Sequence, residues 1–320
     1  MPTTPEGRKN NVRSSSAVRG YLLIVGAVLL WGGSASLVKH LFATKNYDTV
    51  TLVQMRSSLS FLMFAAYFAV RDRTVFRIER SDLKHLVLLG VFGMAVTNFA
   101  YYFTVREATI ATAIIVQYTA PVLVMIYTVA ISREETLNGI KLISLLLAMV
   151  GCFLAVSGGD VSAIQLRGWT IVTSISSAVC FAYLIVASKR ILKKYSVWTM
   201  LTYAFGFATL FWLAVNPPWT IAAQGYTWAD WGIFWMFAIV SILIPHTMFM
   251  ASLNMLEASR VGIASTLEPV IAIVIAYLAL GEALSGVQAV GALAVVAAIL
   301  LLQVRPDLFA RTRPVIRDGQ

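Results

Sequence analysis

Apolar residues fill this chain in long blocks separated by short polar joints, with no alternation of the kind that strands show. Ten blocks reach the roughly 20 residues a helix needs to cross about 30 Å of hydrocarbon. They lie at 19–38, 49–70, 84–104, 109–131, 138–157, 168–188, 197–215, 231–253, 261–280 and 286–303. The pattern predicts an all-α polytopic membrane protein of ten transmembrane helices. Only 216–230, from Asn216-Pro217-Pro218-Trp219 to Asp230, makes a joint of any length, so a soluble domain has no place. The ends, 1–18 and 304–320, are polar and basic and are expected to be disordered tails.

Composition agrees. The chain is 59% hydrophobic and 12% charged, with a mean hydropathy of +0.78, values that exclude an ordinary soluble domain. The net charge of +10 could point to nucleic acid, but its distribution does not. With the N-terminus in the cytoplasm and sides alternating, only Lys39, Lys45, Arg106 and Arg167 fall outside, and Arg56 lies within the second helix. Of the 25 Lys and Arg, the other twenty fall inside. That bias predicts a multi-pass protein of the plasma (bacterial inner) membrane with both termini cytoplasmic, the bilayer as partner and no nucleic acid. The first apolar block lacks a small-residue cleavage site and reads as a retained span.

Cys152 and Cys180 both fall inside spans and read as small buried residues. No His, Cys or carboxylate cluster has metal-ligand spacing, and Gly32-Gly33 and Gly158-Gly159 are isolated pairs rather than phosphate loops. Neither a metal nor a cofactor is expected.

The two halves repeat. Ala-Pro-Val at 120–122 is answered by Glu-Pro-Val at 268–270, and Glu134 and Glu282 stand at the same spacing after Pro121 and Pro269. A shift of 150 pairs Trp31 with Phe181, Lys39 with Lys189, Thr49 with Thr199 and Glu107-Ala108 with Glu257-Ala258; a shift of 148 takes over from there. Five helices per half is an odd number, so two copies, 19–157 and 158–303, must lie inverted to each other in the membrane. Inverted repeats belong to transporters far more often than to enzymes.

Leu30-Trp31-Gly32-Gly33, Met55-Arg56, Ala178 to Tyr183, and Leu267-Glu268-Pro269-Val270 followed by Leu280-Gly281-Glu282 together resemble two tandem EamA units. Such units define the ten-helix members of the drug/metabolite transporter superfamily. The resemblance covers about residues 20–303. Ser132-Arg133-Glu134 departs from it, standing where Leu-Gly-Glu would be expected, which weakens a functional reading of that Glu. The resemblance implies a permease moving small organic solutes, often outward.

Ionisable groups inside spans cost roughly 2.5–3.5 kcal/mol at a helix centre, so each is a candidate for function. Arg56, His246 and Glu268 qualify. At 1.5 Å per residue, Glu268 lies ~12 Å and His246 ~15 Å from the same face. A His and a Glu in one cavity would suit proton coupling or a cationic ligand. The structural alternatives are that Glu268 caps a break at Pro269, that His246 is a satisfied buried histidine, and that Arg56 braces a helix pair. In the first half the position of Glu268 is held by Ala120, and Arg56 pairs with Gly206. Candidates to line the same site are Gln117, Tyr118, Asn98, Tyr101, Tyr102, Trp31 and Tyr183, a set that would suit amines, amino acids or quaternary ammonium groups through cation–π contacts. The alternative for each aromatic is packing or an interface belt. Pro121 and Pro269 are expected to break their helices. Glu134 and Glu282 are expected to accept the first N–H groups of the next helix, and Lys39 and Lys189 to answer the carbonyl ends of their own helices.

The sequence therefore predicts a secondary transporter, not an enzyme, exporting small organic metabolites such as amino acids, amines or drugs by alternating access, with protons as one source of energy. The competing readings are an intramembrane enzyme acting on lipid or prenyl substrates and a non-transporting scaffold or sensor. Neither would move solute in proteoliposomes.

Overall fold

Helices begin where short polar side chains take up the first backbone N–H groups. The computed structural model describes residues 5–45, 47–280 and 283–303, with side chains within 16–34, 44–45, 47–275, 277–278 and 283–303; Glu282 and the tail 304–320 lie outside the described residues. Asp48 caps α2 (Thr49–Arg71) through the Thr51 N–H at 2.9 Å, and Thr109 caps α4 (Ile110–Ile131) through Thr112 at 2.9 Å. Asn138 caps α5 (Gly139–Ser157) at 2.8 Å, Ser196 caps α7 (Val197–Val215) at 3.1 Å, and Thr227 and Asp230 cap α8 (Trp228–Met255) reciprocally. The remaining spans are α1 (Pro5–Lys45), α3 (Arg80–Glu107), α6 (Trp169–Ile191), α9 in two segments (Ala258–Ser265 and Leu267–Leu280) and α10 (Gly286–Gln303).

Among the described residues ten helices are long and apolar enough to span a membrane. Two boundaries depart from expectation. The backbone is helical from Pro5, well ahead of residue 19, so most of the N-terminal segment continues α1. Once an apolar stretch has nucleated a helix, each further residue adds a hydrogen bond at little cost. The 216–230 joint holds a short helix, Pro218–Ala222, started by its proline.

The packing obeys the repeat. α1 lies on α8 and α9, and its counterpart α6 lies on α3 and α4, the counterparts of those two. α2 meets α7, α4 meets α9 and α5 meets α10 across the pseudo-two-fold axis. With little hydrophobic force between helices in lipid, small residues set how closely they approach. At the α5–α10 crossing a Cβ on Gly291 would lie 2.7 Å from the Gly151 carbonyl oxygen, so only glycine fits. α9 is the most central span, with 67% of its most apolar window buried, against 28% for α10.

α3 and α8 each contain a π-helical stretch, Leu89–Val96 and Ile239–Leu243. The shift of 150 carries 89–93 onto 239–243. Each stretch inserts one extra residue and re-aims the side chains that follow.

Candidate functional site

Pro121 and Pro269 have no N–H to offer the carbonyls four residues back, and both helices stop there. α4 is helical to Gln117 and resumes at Ala120; α9 is helical to Ser265 and resumes at Leu267. Each break is closed by a threonine reaching back three residues: Thr119 Oγ1 to the Val116 carbonyl and Thr266 Oγ1 to the Ile263 carbonyl, both at 2.7 Å. The broken helices cross here, with Gly262 set against Pro121. Glu268 therefore stands in the first turn of a half-helix, where the dipole favours a negative charge. Tyr118, in the α4 break, donates a 2.5 Å hydrogen bond to Glu268 Oε2. α1 comes close because residue 32 is glycine: a Cβ there would lie 3.0 Å from the Glu268 carbonyl oxygen.

Arg56 is 2% exposed and does not snorkel. Pro245 deprives the Ser241 carbonyl of its usual donor, and Arg56 Nη2 fills that place at 2.9 Å while Nε bonds Ser241 Oγ at 2.9 Å. The guanidinium lies between the rings of Tyr102 and Phe237, 4.6 and 4.8 Å from their centroids. Nη1 has no hydrogen-bond partner.

His246 Nδ1 sits 3.0 Å from the Ile242 carbonyl, which can only accept, so Nδ1 carries the proton. The Trp31 ring meets His246 edge-on at 5.1 Å and Phe249 at 5.2 Å. Phe181 continues this aromatic run from Phe249 to Tyr118. Among the described residues no hydrogen bond joins His246 to Glu268, and no ion pair joins Arg56 to Glu268.

Trp31, Arg56, Asn98, Tyr101, Tyr102, Gln117, His246 and Glu268 nevertheless line one cavity, between both halves. Asn98 is held by the Met94 carbonyl at 2.8 Å. Tyr101 Oη and Gln117 Oε1 are buried without partners, as is Arg56 Nη1. The cavity measures about 50 Å³, room for a few waters at ~10–15 Å³ each, so a metabolite requires the helices to part.

Tyr183 does not belong to this site. It faces a separate groove with Val179 and Val186, while its neighbours Phe181 and Leu184 line the cavity. Two residues turn a helix through about 200°, which separates Tyr183 from Phe181. Ser34, Thr97, Phe181 and Leu184 are the lining residues that sequence reasoning missed. Phe181 carried a signal, being the repeat partner of Trp31, and Leu184 stands at the same shift from Ser34.

Both ends of the bundle are tied. At the end where α6 finishes, here the basic end, Lys141 Nζ lies 3.1 Å from both Glu135 and Glu257, and the Ser259 N–H and hydroxyl donate to Glu135. The Lys141 and Glu135 side chains, both of the first half, are 3% and 7% exposed, and Glu257 and Ser259 of the second half bind them, so this cluster ties the two halves together. Glu134 does not accept from the next helix as expected, because Asn138 takes that role. It instead pairs with Lys193 at 2.7 Å and Arg190 at 3.5 Å, and these cations hold its carboxyl below the usual range. Lys189 answers the carbonyl end of α8 rather than its own helix, donating to Leu253 and, at 2.8 Å, Leu256. At the far end Asp230 accepts from Tyr47 at 2.5 Å and Lys45 at 3.3 Å. Among the described residues no cluster of His, Cys, Asp or Glu is placed to hold a metal, and Cys152 and Cys180 are free thiols.

The model of a family described as the EamA-like transporter family matches residues 18–157 and again 168–304. The uncharacterized inner membrane transporter YicL of Salmonella typhimurium is 20% identical over 293 residues, covering 90% of this chain and 96% of its own. Threonine/homoserine exporter RhtA of Escherichia coli K12 is 25% identical over 281 residues, covering 87% and 88%. A solved crystal structure matches with a TM-score of 0.70 at 18% identity, covering 88% of this chain and 96% of that one, a likeness of fold.

Proposed function

The chain belongs to the EamA-like transporter family, and from that premise we propose that it exports small zwitterionic metabolites of the amino-acid class, with Arg56 and Glu268 as its two charged contacts. It is a multi-pass inner-membrane transporter of small organic metabolites. The observation that carries the narrower reading is the buried placement of Arg56 and Glu268 in one cavity, with no ion pair joining them. Arg56 keeps Nη1 for a carboxylate. Glu268 spends Oε2 on Tyr118 and keeps Oε1 for an ammonium group. Two opposite charges that cost several kcal/mol each to bury are a poor arrangement unless a ligand bridges them. The names of the threonine/homoserine exporters support the same class.

Transport proceeds by alternating exposure of this cavity, as the inverted halves rock about the crossing of α4 and α9. Glu268 exchanges the substrate ammonium for a proton on release, so one proton returns as one substrate leaves. Both termini face the cytoplasm, since the basic end carries the positive-inside bias.

Proteoliposomes loaded with labelled threonine test this under an imposed pH gradient. Efflux of threonine is expected, with N-acetylthreonine and threonine methyl ester left behind, because each lacks one of the two charges. Equal efflux of all three would overturn the zwitterion reading while leaving transport itself established.

A further inference from the structure

Outside the central cavity, a groove of about 630 Å³ runs between α3, α4 and α6 toward the basic end. Its floor is apolar: Leu86, Leu123, Val179, Ala182 and Val186. Val179 and Leu123 are 51% and 37% exposed, so the groove opens laterally, where lipid surrounds the protein. Its charged groups stand at one end, where Arg190 and Lys194, one turn apart, meet Asp82, His85 and Tyr195. From Val179 to Ile191 the groove is ~18 Å long at 1.5 Å per residue, against about 15 Å for half of the hydrocarbon core.

An apolar trough one leaflet deep, closed by two cations at the membrane surface, has the polarity of a single amphiphile. We propose that this groove binds one anionic glycerophospholipid, with an acyl chain along Val179 to Val186 and the phosphate at Arg190 and Lys194. Basic pockets between helices at the cytoplasmic surface suit such headgroups. The ion pair from Arg190 to Glu134 is long, at 3.5 Å, and runs through Nε, while the guanidinium also stacks on Tyr127 at 5.1 Å. Lys194 pairs with Glu79 at 2.5 Å and Asp82 at 2.6 Å, and Asp82 also accepts from Tyr195, so a phosphate there takes the place of one of these carboxylates on the lysine. Arg190, Tyr127 and Val186 also line the polar recess of about 410 Å³ that holds Glu134, Glu135 and Lys189, so a lipid phosphate in the groove sits against the tie that closes the basic end.

Delipidated full-length protein in detergent provides the test, titrated with dioleoyl phosphatidylglycerol, dioleoyl phosphatidylcholine and sn-glycerol 3-phosphate and read by native mass spectrometry. Phosphatidylglycerol is expected to bind at least ten-fold more tightly than phosphatidylcholine, and glycerol phosphate not at all. Ala187→Phe, which fills the trough, should weaken phosphatidylglycerol at least ten-fold. Where that variant fails to fold, Val179→Trp, at a half-exposed position, fills the same trough. Arg190→Gln with Lys194→Gln should remove the preference for the anionic lipid and leave chain binding. Equal affinity for the two lipids, or phosphatidylglycerol binding untouched by the filled trough, would overturn the proposal. Competition by glycerol phosphate would also overturn it, since that marks an anion site without a chain.

Discussion

Tyr118 donates its phenolic proton to Glu268 across a 2.5 Å hydrogen bond, and the two residues stand in the two places where spanning helices are interrupted. The bond therefore ties the break in one half to the break in the other. A ligand that draws on Glu268 acts on both broken helices at once.

Glu268→Gln should lower transport by about 100-fold or more and abolish the pH dependence of what remains, with the melting temperature little changed. Tyr118→Phe should fall between, because a hydrogen bond to a charged group contributes about 1.5–3 kcal/mol. Proteoliposome efflux with parallel melting curves checks both. Wild-type transport by Glu268→Gln would make the carboxylate structural.

Arg56→Lys keeps the charge but loses the planar fork held by Ser241 and the stacking between Tyr102 and Phe237. The expected result is a rise in KM of about ten-fold or more with a smaller change in kcat, measured by initial efflux rates. Ser241→Ala should shift KM the same way by less, since it removes one of two bonds.

Lys141→Met strands Glu135 in a buried site and should destabilise the protein by about 3–5 kcal/mol, the range for breaking a buried pair. Pairing it with Glu135→Gln should restore part of that loss. Chemical denaturation of the two variants against the parent decides it; an unrestored double variant would show that the pair is not the cause.

Glu134 has its carboxyl held below the usual value of 4.5, first by Lys193 and then by Arg190. The sign follows from linkage: a depressed carboxylate adds stability above its unfolded pKa and loses it as pH falls through the folded one. Wild type should therefore melt above Glu134→Gln at pH 7, and the gap should close below pH ~4. The effect will be small, because the pair is exposed to solvent.

Much of the site was legible because charge inside an apolar span is rare. Glu268, Arg56 and His246 stood out as charges among hydrocarbon, and the repeat sharpened the first of them, since Ala120 holds its place in the other copy. What stayed hidden is rotational phase and uncharged polarity. Tyr183 and Phe181 sit two positions apart and face opposite ways, and Ser34 and Thr97 look like any small residue in a membrane helix. Glu134 and Glu135 are adjacent, yet only the second is drawn into the buried cluster with Lys141 and Ser259. That choice depends on the turn after α4, where Arg133 adopts a positive φ of 53°. Residue identity alone carries no mark of it.

The matching π-helical stretches of α3 and α8 bear on ancestry. A π-helical turn is one surplus residue, and it arises by insertion into a regular helix. Two independent insertions at aligned positions of inverted copies are a far less economical history than one. The π-helical stretch Tyr127–Ile131 of α4, by contrast, has no counterpart in the α-helical Leu267–Leu280, so the two halves share one such irregularity and differ in another.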